Sequence, residues 1–211
     1  MNYIEFRNRF QGHPLILSKE VVRLEKDRQN IRNQLNRWLD KGLIIKLKKG
    51  IYILNKNDRK IQPGEAFIAN ELYAPSYVSL EYALNLYGLI PEKVTWVTSV
   101  TTKKTARFSN ELGEYVYQHV KPGAFRGFQS IKDKDGFSAF IAEPEKAVVD
   151  FLYLNLKRFT PGDKDVFEQS FRFQNVGSLR RNRCMMLSKL FNNRKLLKVT
   201  RTFCEFIKER A

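Results

Sequence analysis

A helix-forming stretch with one apolar side and one carboxylate-free polar side, running straight into a lysine-rich hairpin, limits most strongly what this chain can fold into. In Asp27–Leu54, DRQNIRNQLNRWLDKGLIIKLKKGIYIL, the residues Ile31, Leu35, Trp38 and Leu39 recur at helical spacing, so one side is built for burial. The opposite side carries Arg28, Gln29, Arg32, Asn33, Asn36 and Arg37, and no Asp or Glu falls between Asp27 and Asp40. Guanidinium and carboxamide groups hydrogen-bond base edges and phosphates, whereas a carboxylate there would repel the backbone. Asp27 is the expected N-cap, Gly42 the left-handed residue that ends the helix, and Leu43 its closing apolar contact. Leu43–Lys48 and Ile51–Leu54 are β-rich, with Lys48-Lys49-Gly50 as the turn. Lys46, Lys48 and Lys49 then line the tip and edge of the hairpin. Such a helix and hairpin together have the anatomy of a winged helix-turn-helix. A solvated helix and a lysine-protected sheet edge carry similar charges.

The charge distribution bears on that choice. Over 211 residues the formal net charge is +16, but it is uneven. Residues 1–61 hold 15 Lys and Arg against 6 Asp and Glu, 62–169 hold 12 against 14, and 170–211 hold 11 against 2. Basic charge confined to the two ends favours polyanion partners over a merely solubilising surface. Hydrophobic content of 43% and aromatic content of 13% indicate a folded protein with real cores. No run of about 18 apolar residues exists and MNYIEFRNRF lacks the apolar core of a signal peptide, so a cytoplasmic protein with no membrane partner is expected. Cys184 and Cys204 cannot form a zinc site by themselves and are expected as reduced thiols.

In chain order, Asn2–Phe10 suits a first helix, Leu15–Leu17 a strand pairing with the hairpin, and Ser18–Leu24 a second helix capped by Ser18. Glu25 and Lys26 leave room for a tight turn before Asp27, the spacing of a helix-turn-helix. NKNDRKIQ, 55–62, leads to Pro63-Gly64 and marks a boundary, giving a domain over 1–61 and a second over 62–211. The second opens with helices at Glu65–Tyr73 and from Ser79, a residue placed to cap. Strand-like runs follow at Val94–Val100, Thr105–Phe108, Gly113–Val120, Ala124–Ser130 and Gly136–Ala142, predicting a mainly antiparallel sheet. Pro144 then starts a helix with Ala147, Val148, Phe151 and Leu152 on one face. The fold class expected is α+β, ending in basic helices over about 176–210.

Three segments of this second part, YVSLEYALNLYGLIPEKVTWVTSVTTKKTARF (Tyr77–Phe108), YQHVKPGAFRGF (Tyr117–Phe128) and AEPEKAVVDFLYL (Ala142–Leu154), closely resemble the AbiEi antitoxin family. KGLIIKLKKGIYIL resembles the N-terminal winged helix common there, so the likeness spans most of residues 18–155. The resemblance implies a bacterial, cytosolic transcriptional regulator of a type IV toxin-antitoxin system of the phage-defence kind. Its first domain would bind double-stranded operator repeats cooperatively, as a monomer, to repress its own operon. Its second would counteract a nucleotidyltransferase toxin without a stable complex.

The C-terminal helices carry Arg180, Arg181, Arg183, Lys189, Arg194, Lys195, Lys198 and Arg201 away from their apolar sides. Three readings stay open: a solvated face, a second nucleic-acid-facing surface, or a dock for an acidic protein. An enzyme is not expected. Glu143, Glu145 and Lys146 lack the spacing of a metal-dependent nuclease, and acids at a helix start complement its dipole. Gly177-Ser178 is followed by Arg180, Arg181 and Arg183 where nucleotidyl transfer needs Asp-x-Asp, and His13 and His119 stand apart from any nucleophile signature. No catalytic residue, metal or cofactor is therefore assigned. The alternative to a repressor is an interaction module whose winged helix and basic C-terminal helices bind an acidic partner.

Overall fold

The computed structural model describes residues 1–24, 28–133 and 135–210. The expected cap at Asp27, the turn at Glu25 and Lys26, and the side chain of Arg28 lie outside the described residues.

Three helices and three strands come first: α1 (Tyr3–Phe10), β1 (Ile16–Leu17), α2 (Ser18–Arg23), α3 (Arg28–Asp40), β2 (Ile44–Lys48) and β3 (Ile51–Leu54). A capping box starts α1, with the Asn2 side chain accepting from the Glu5 N–H while the Glu5 carboxylate accepts from the Asn2 N–H. The close of α3 is a double reversal: Leu43 N–H donates to the Trp38 carbonyl at 2.9 Å and Gly42 N–H to the Leu39 carbonyl at 2.8 Å. That Schellman geometry needs a left-handed residue at position 42, where glycine sits at φ 64°. Ser18 does not cap α2; it is the first helical residue, and its side chain makes no capping bond.

β3 lies between β1 and β2, antiparallel to both, as the pairing of Leu15–Leu17 with the hairpin requires. Both faces of this small sheet are covered. Ile16, Ile44 and Leu54 join Phe6, Phe10, Val21, Ile31, Leu35 and Trp38 in one core. Leu47 and Ile53, with half-buried Ile45 and Ile51, face the other way into the main core. The register slips between Lys46, opposite Tyr52, and Lys48, opposite Ile51, so Leu47 is the extra residue of a bulge. Burying Leu47 and Ile53 contributes about 1.5–3 kcal/mol each to docking the hairpin on the rest of the molecule.

The remaining chain forms a six-stranded sheet in the order β6-β7-β5-β4-β9-β8, from β4 (Ser76–Val78), β5 (Trp96–Thr101), β6 (Ala106–Asn110), β7 (Gly113–His119), β8 (Phe128–Lys132) and β9 (Ser138–Ala142). The expectation of a mainly antiparallel sheet is corrected to a mixed one. β5 runs parallel to β7 and β4 parallel to β9. The hairpin β6–β7 places β7, whose Tyr115 and Tyr117 are buried, beside β5, and leaves the more polar β6 at the edge. Helices α4 (Glu65–Leu72), α5 (Leu80–Leu86) and α6 (Pro144–Leu154) pack on this sheet, and α5 and α6 also pack on each other. α7 (Arg181–Lys189) and α8 (Arg194–Lys208) pack together and on α6.

Ser79 precedes α5 but does not cap it. Its hydroxyl instead donates to the Asp150 carboxylate at 2.8 Å, beside the Tyr77 hydroxyl at 2.9 Å. The Thr98 hydroxyl takes over the cap, donating to the Ser79 carbonyl at 2.6 Å and accepting from the Tyr82 N–H at 3.0 Å. α6 is buried from Glu145 to Leu152, not on one face only, and encloses a Lys146–Asp150 ion pair with neither side chain exposed. No helix among the described residues is long and apolar enough to cross a membrane.

Candidate nucleic-acid interface

Apolar burial of Ile31, Leu35 and Trp38 sets the rotation of α3 about its axis and so fixes which side chains meet solvent. Arg32, Asn33, Asn36 and Arg37 are all exposed, and so is Gln29, whose side-chain amide donates to the Asn33 carboxamide oxygen at 3.2 Å. The buried residues of α3 belong to the first core, so this polar side faces away from it.

Between α2, α3 and the hairpin turn lies an open groove of about 710 Å³. Arg32 and Asn36 enter it from α3, Lys19 and Arg23 from α2, and Lys49 and Tyr52 from the hairpin, over a floor that includes Val22, Leu35 and Gly50. Among the described residues no carboxylate lines it. Four cations around one concavity with a carboxamide at its wall form a site suited to an anionic, hydrogen-bonding ligand. Gly50, at φ 84°, lets the hairpin turn approach α2 closely: its carbonyl accepts from the Ser18 N–H at 2.9 Å, and an added Cβ would stand 3.2 Å from the Ser18 hydroxyl.

The three hairpin lysines separate. Lys46 and Lys49 are exposed. Lys48 is half-buried, and its ammonium is engaged within the chain. Its ammonium donates to the Leu72 carbonyl at 2.9 Å and lies 4.8 Å from the Phe108 ring centre and 5.2 Å from that of Tyr73. Burial, helped by nearby Lys103, moves its pKa down. The bulge at Leu47 is the physical reason, because it turns Lys48 to the side that faces the second half of the chain. Beside it, the Asn110 side-chain amide donates to the Leu47 carbonyl at 3.2 Å.

Lys19 and Arg23 escape a reading that looks for core positions in α2. Their signal is in the sequence nonetheless, since residues four apart share one helix side.

The eight C-terminal cations also separate. Arg180 donates to the Glu145 carboxylate from its backbone N–H at 3.1 Å and from its guanidinium at 2.8 Å, and Arg183 grips Glu143 with two bonds of 2.8 Å. Burial pushes the Glu145 carboxyl up, but the Arg180 side chain and two backbone donors outweigh it and hold the group below its ordinary value. Glu143 and Glu145 thus anchor α7 to α6, where only a dipole role was expected of them. Arg181, Lys189, Arg194, Lys195, Lys198 and Arg201 remain exposed and make no ion pair with a described residue. Among the described residues no group of His, Cys, Asp and Glu is arranged to hold a metal ion. No family model matches the chain, and no curated protein matches it.

Proposed function

We propose that the chain is a DNA-binding transcriptional repressor whose N-terminal unit is a winged helix-turn-helix, acting as the antitoxin of a type IV, AbiE-like toxin-antitoxin system in the bacterial cytoplasm. One observation carries the DNA half of the reading: Arg32 and Asn36 stand exposed on α3 in a groove whose other walls supply Lys19, Arg23 and Lys49 and, among the described residues, no carboxylate. An α-helix fits the major groove, Arg pairs bidentately with guanine and Asn with adenine, and flanking lysines hold the phosphates. In this reading α3 reads bases through Arg32, Asn33, Asn36 and Arg37, while Lys46 and Lys49 of the wing touch the backbone. The helix order α1-α2-α3, followed by a hairpin that also pairs with β1, supports it. The resemblance of Tyr77–Phe108, Tyr117–Phe128 and Ala142–Leu154 to AbiEi supports the antitoxin half, with a nucleotidyltransferase toxin as functional partner and no stable complex.

The test is a mobility-shift assay with the duplex upstream of the chain's own gene, challenged by unrelated duplex. Retention of the upstream fragment by the wild-type chain, and loss of that preference in R32A/N36A, is the expected result. Equal competition by both duplexes would return the unit to a protein-interaction module.

A further inference from the structure

Four cations of α8, Arg194, Lys198, Arg201 and Lys208, fall on one line at helical spacing, with Lys195 beside its start. Arg194, Lys195, Lys198, Arg201 and Lys208 are exposed, whereas Leu196, Val199, Phe203, Phe206 and Ile207 are buried. From Arg194 to Lys208 the line runs about 21 Å along the helix axis. The start of α7 extends it sideways, because the Cys204 thiol donates to the Arg181 carbonyl at 3.6 Å and so brings exposed Arg181 alongside.

The N-terminal part of this arrangement opposes the helix that carries it. Arg194 with Lys198, and Lys198 with Arg201, are like-charge neighbours one turn apart, and Arg194 and Lys195 sit at the positive end of the helix dipole with no acid in the first turn. Arginines of the adjoining surface that have a carboxylate in reach are paired with it, as Arg180, Arg183 and Arg210 are. The α8 line is unpaired among the described residues. A bound polyanion removes both penalties at once.

The side chains around the line narrow the partner. A protein interface needs an apolar centre, and a membrane-surface helix needs an apolar face turned outward. Every exposed residue of α8 is charged, with Glu205 the one acid among five cations, and its apolar face is already buried in the protein's own core. A duplex backbone, with one charge per about 1.7 Å of axis, needs only cations at intervals.

We infer that the α8 line, with Arg181, is a second, sequence-blind contact for the phosphate backbone of duplex DNA, separate from the α3 groove. The inference extends the repressor reading to another surface, and one experiment distinguishes the two. Full-length wild type, K195Q/K198Q/R201Q, R32A/N36A and the five-fold combination are titrated on an unrelated-sequence duplex and on the upstream duplex across a salt series.

Removing three phosphate-binding cations is expected to lower the slope of log K against log salt by about 2 to 3 on the unrelated duplex, and to weaken binding by more than about tenfold near physiological salt. The weakening appears with or without the α3 substitutions. The circular dichroism spectrum stays unchanged, and the charge-conserving R194K/R201K chain keeps the wild-type slope. Unchanged slope and affinity in K195Q/K198Q/R201Q would overturn the inference. So would a loss of binding seen on phosphatidylserine vesicles and not on DNA. If wild type showed no preference for the upstream duplex while the α8 effect persisted, the repressor reading would fail and this second surface would stand.

Discussion

Arg32 and Asn36 differ from the other polar residues of α3 in being framed by cations from two further elements, and that makes their substitution informative. If they read bases as proposed, truncating either side chain, as in R32A or N36A, reduces discrimination against a wrong base by about 1–3 kcal/mol, read from competition curves. The buried pair Lys146–Asp150 has the opposite kind of role. Asp150 accepts from Lys146, Ser79 and Tyr77, and burial pushes its pKa up against those bonds. Lys146→Met leaves the carboxylate without its counter-charge, and a stability loss of about 3–5 kcal/mol is expected in thermal or urea unfolding, with operator preference intact in the folded fraction. Glu145 supplies a pH dependence whose sign can be stated. Its folded-state pKa lies below the ordinary value of 4.5, so its contribution is present above that value and is lost as pH falls through the folded one. R180A should flatten the acid limb of the stability curve, whereas R194A, which removes no ion pair with a described carboxylate, should leave it alone.

The hairpin shows how much a sequence pattern reveals about an element and where it stops. IIKLK and IYIL mark two strands, and Gly50 marks the turn between them. Their lack of apolar-polar alternation also carries a message that the lysines obscure: both faces of the sheet are buried. The bulge at Leu47 is not legible, since it depends on which residue of β3 stands opposite, and it alone decides that Lys48 turns inward. K46A/K49A is therefore expected to weaken binding to every duplex and flatten its salt dependence, while K48M leaves the salt slope unchanged and lowers thermal stability. Ser79 is a similar case. Its place before a helix reads as a cap, but a buried carboxylate seventy-one residues later claims the hydroxyl. β4 is only three residues long and leaves almost no pattern, although it holds the centre of the large sheet and, with β9, one of the two parallel pairings.

At the scale of the whole molecule, the α3 groove opens on one side of the small sheet while the second core covers its other side. The helical unit is thereby held against the six-stranded sheet through Leu47, Ile53, Lys48 and Asn110. Calorimetry on the full chain should show one cooperative transition, and a fragment of residues 1–61 should be less stable because it exposes Ile45, Leu47, Ile51 and Ile53. The segregation of basic charge to the two ends is plain in the sequence. Its division into paired anchors and unpaired cations is not, because the carboxylates that claim Arg180 and Arg183 lie thirty-five and forty residues away. The most direct measurement of the central claim is methylation interference on the upstream duplex. If α3 enters the major groove, methyl groups at guanine N7 within the bound site block the wild-type complex and cease to discriminate in R32A/N36A. Interference from adenine N3 methylation alone, on the minor-groove side, would contradict the account.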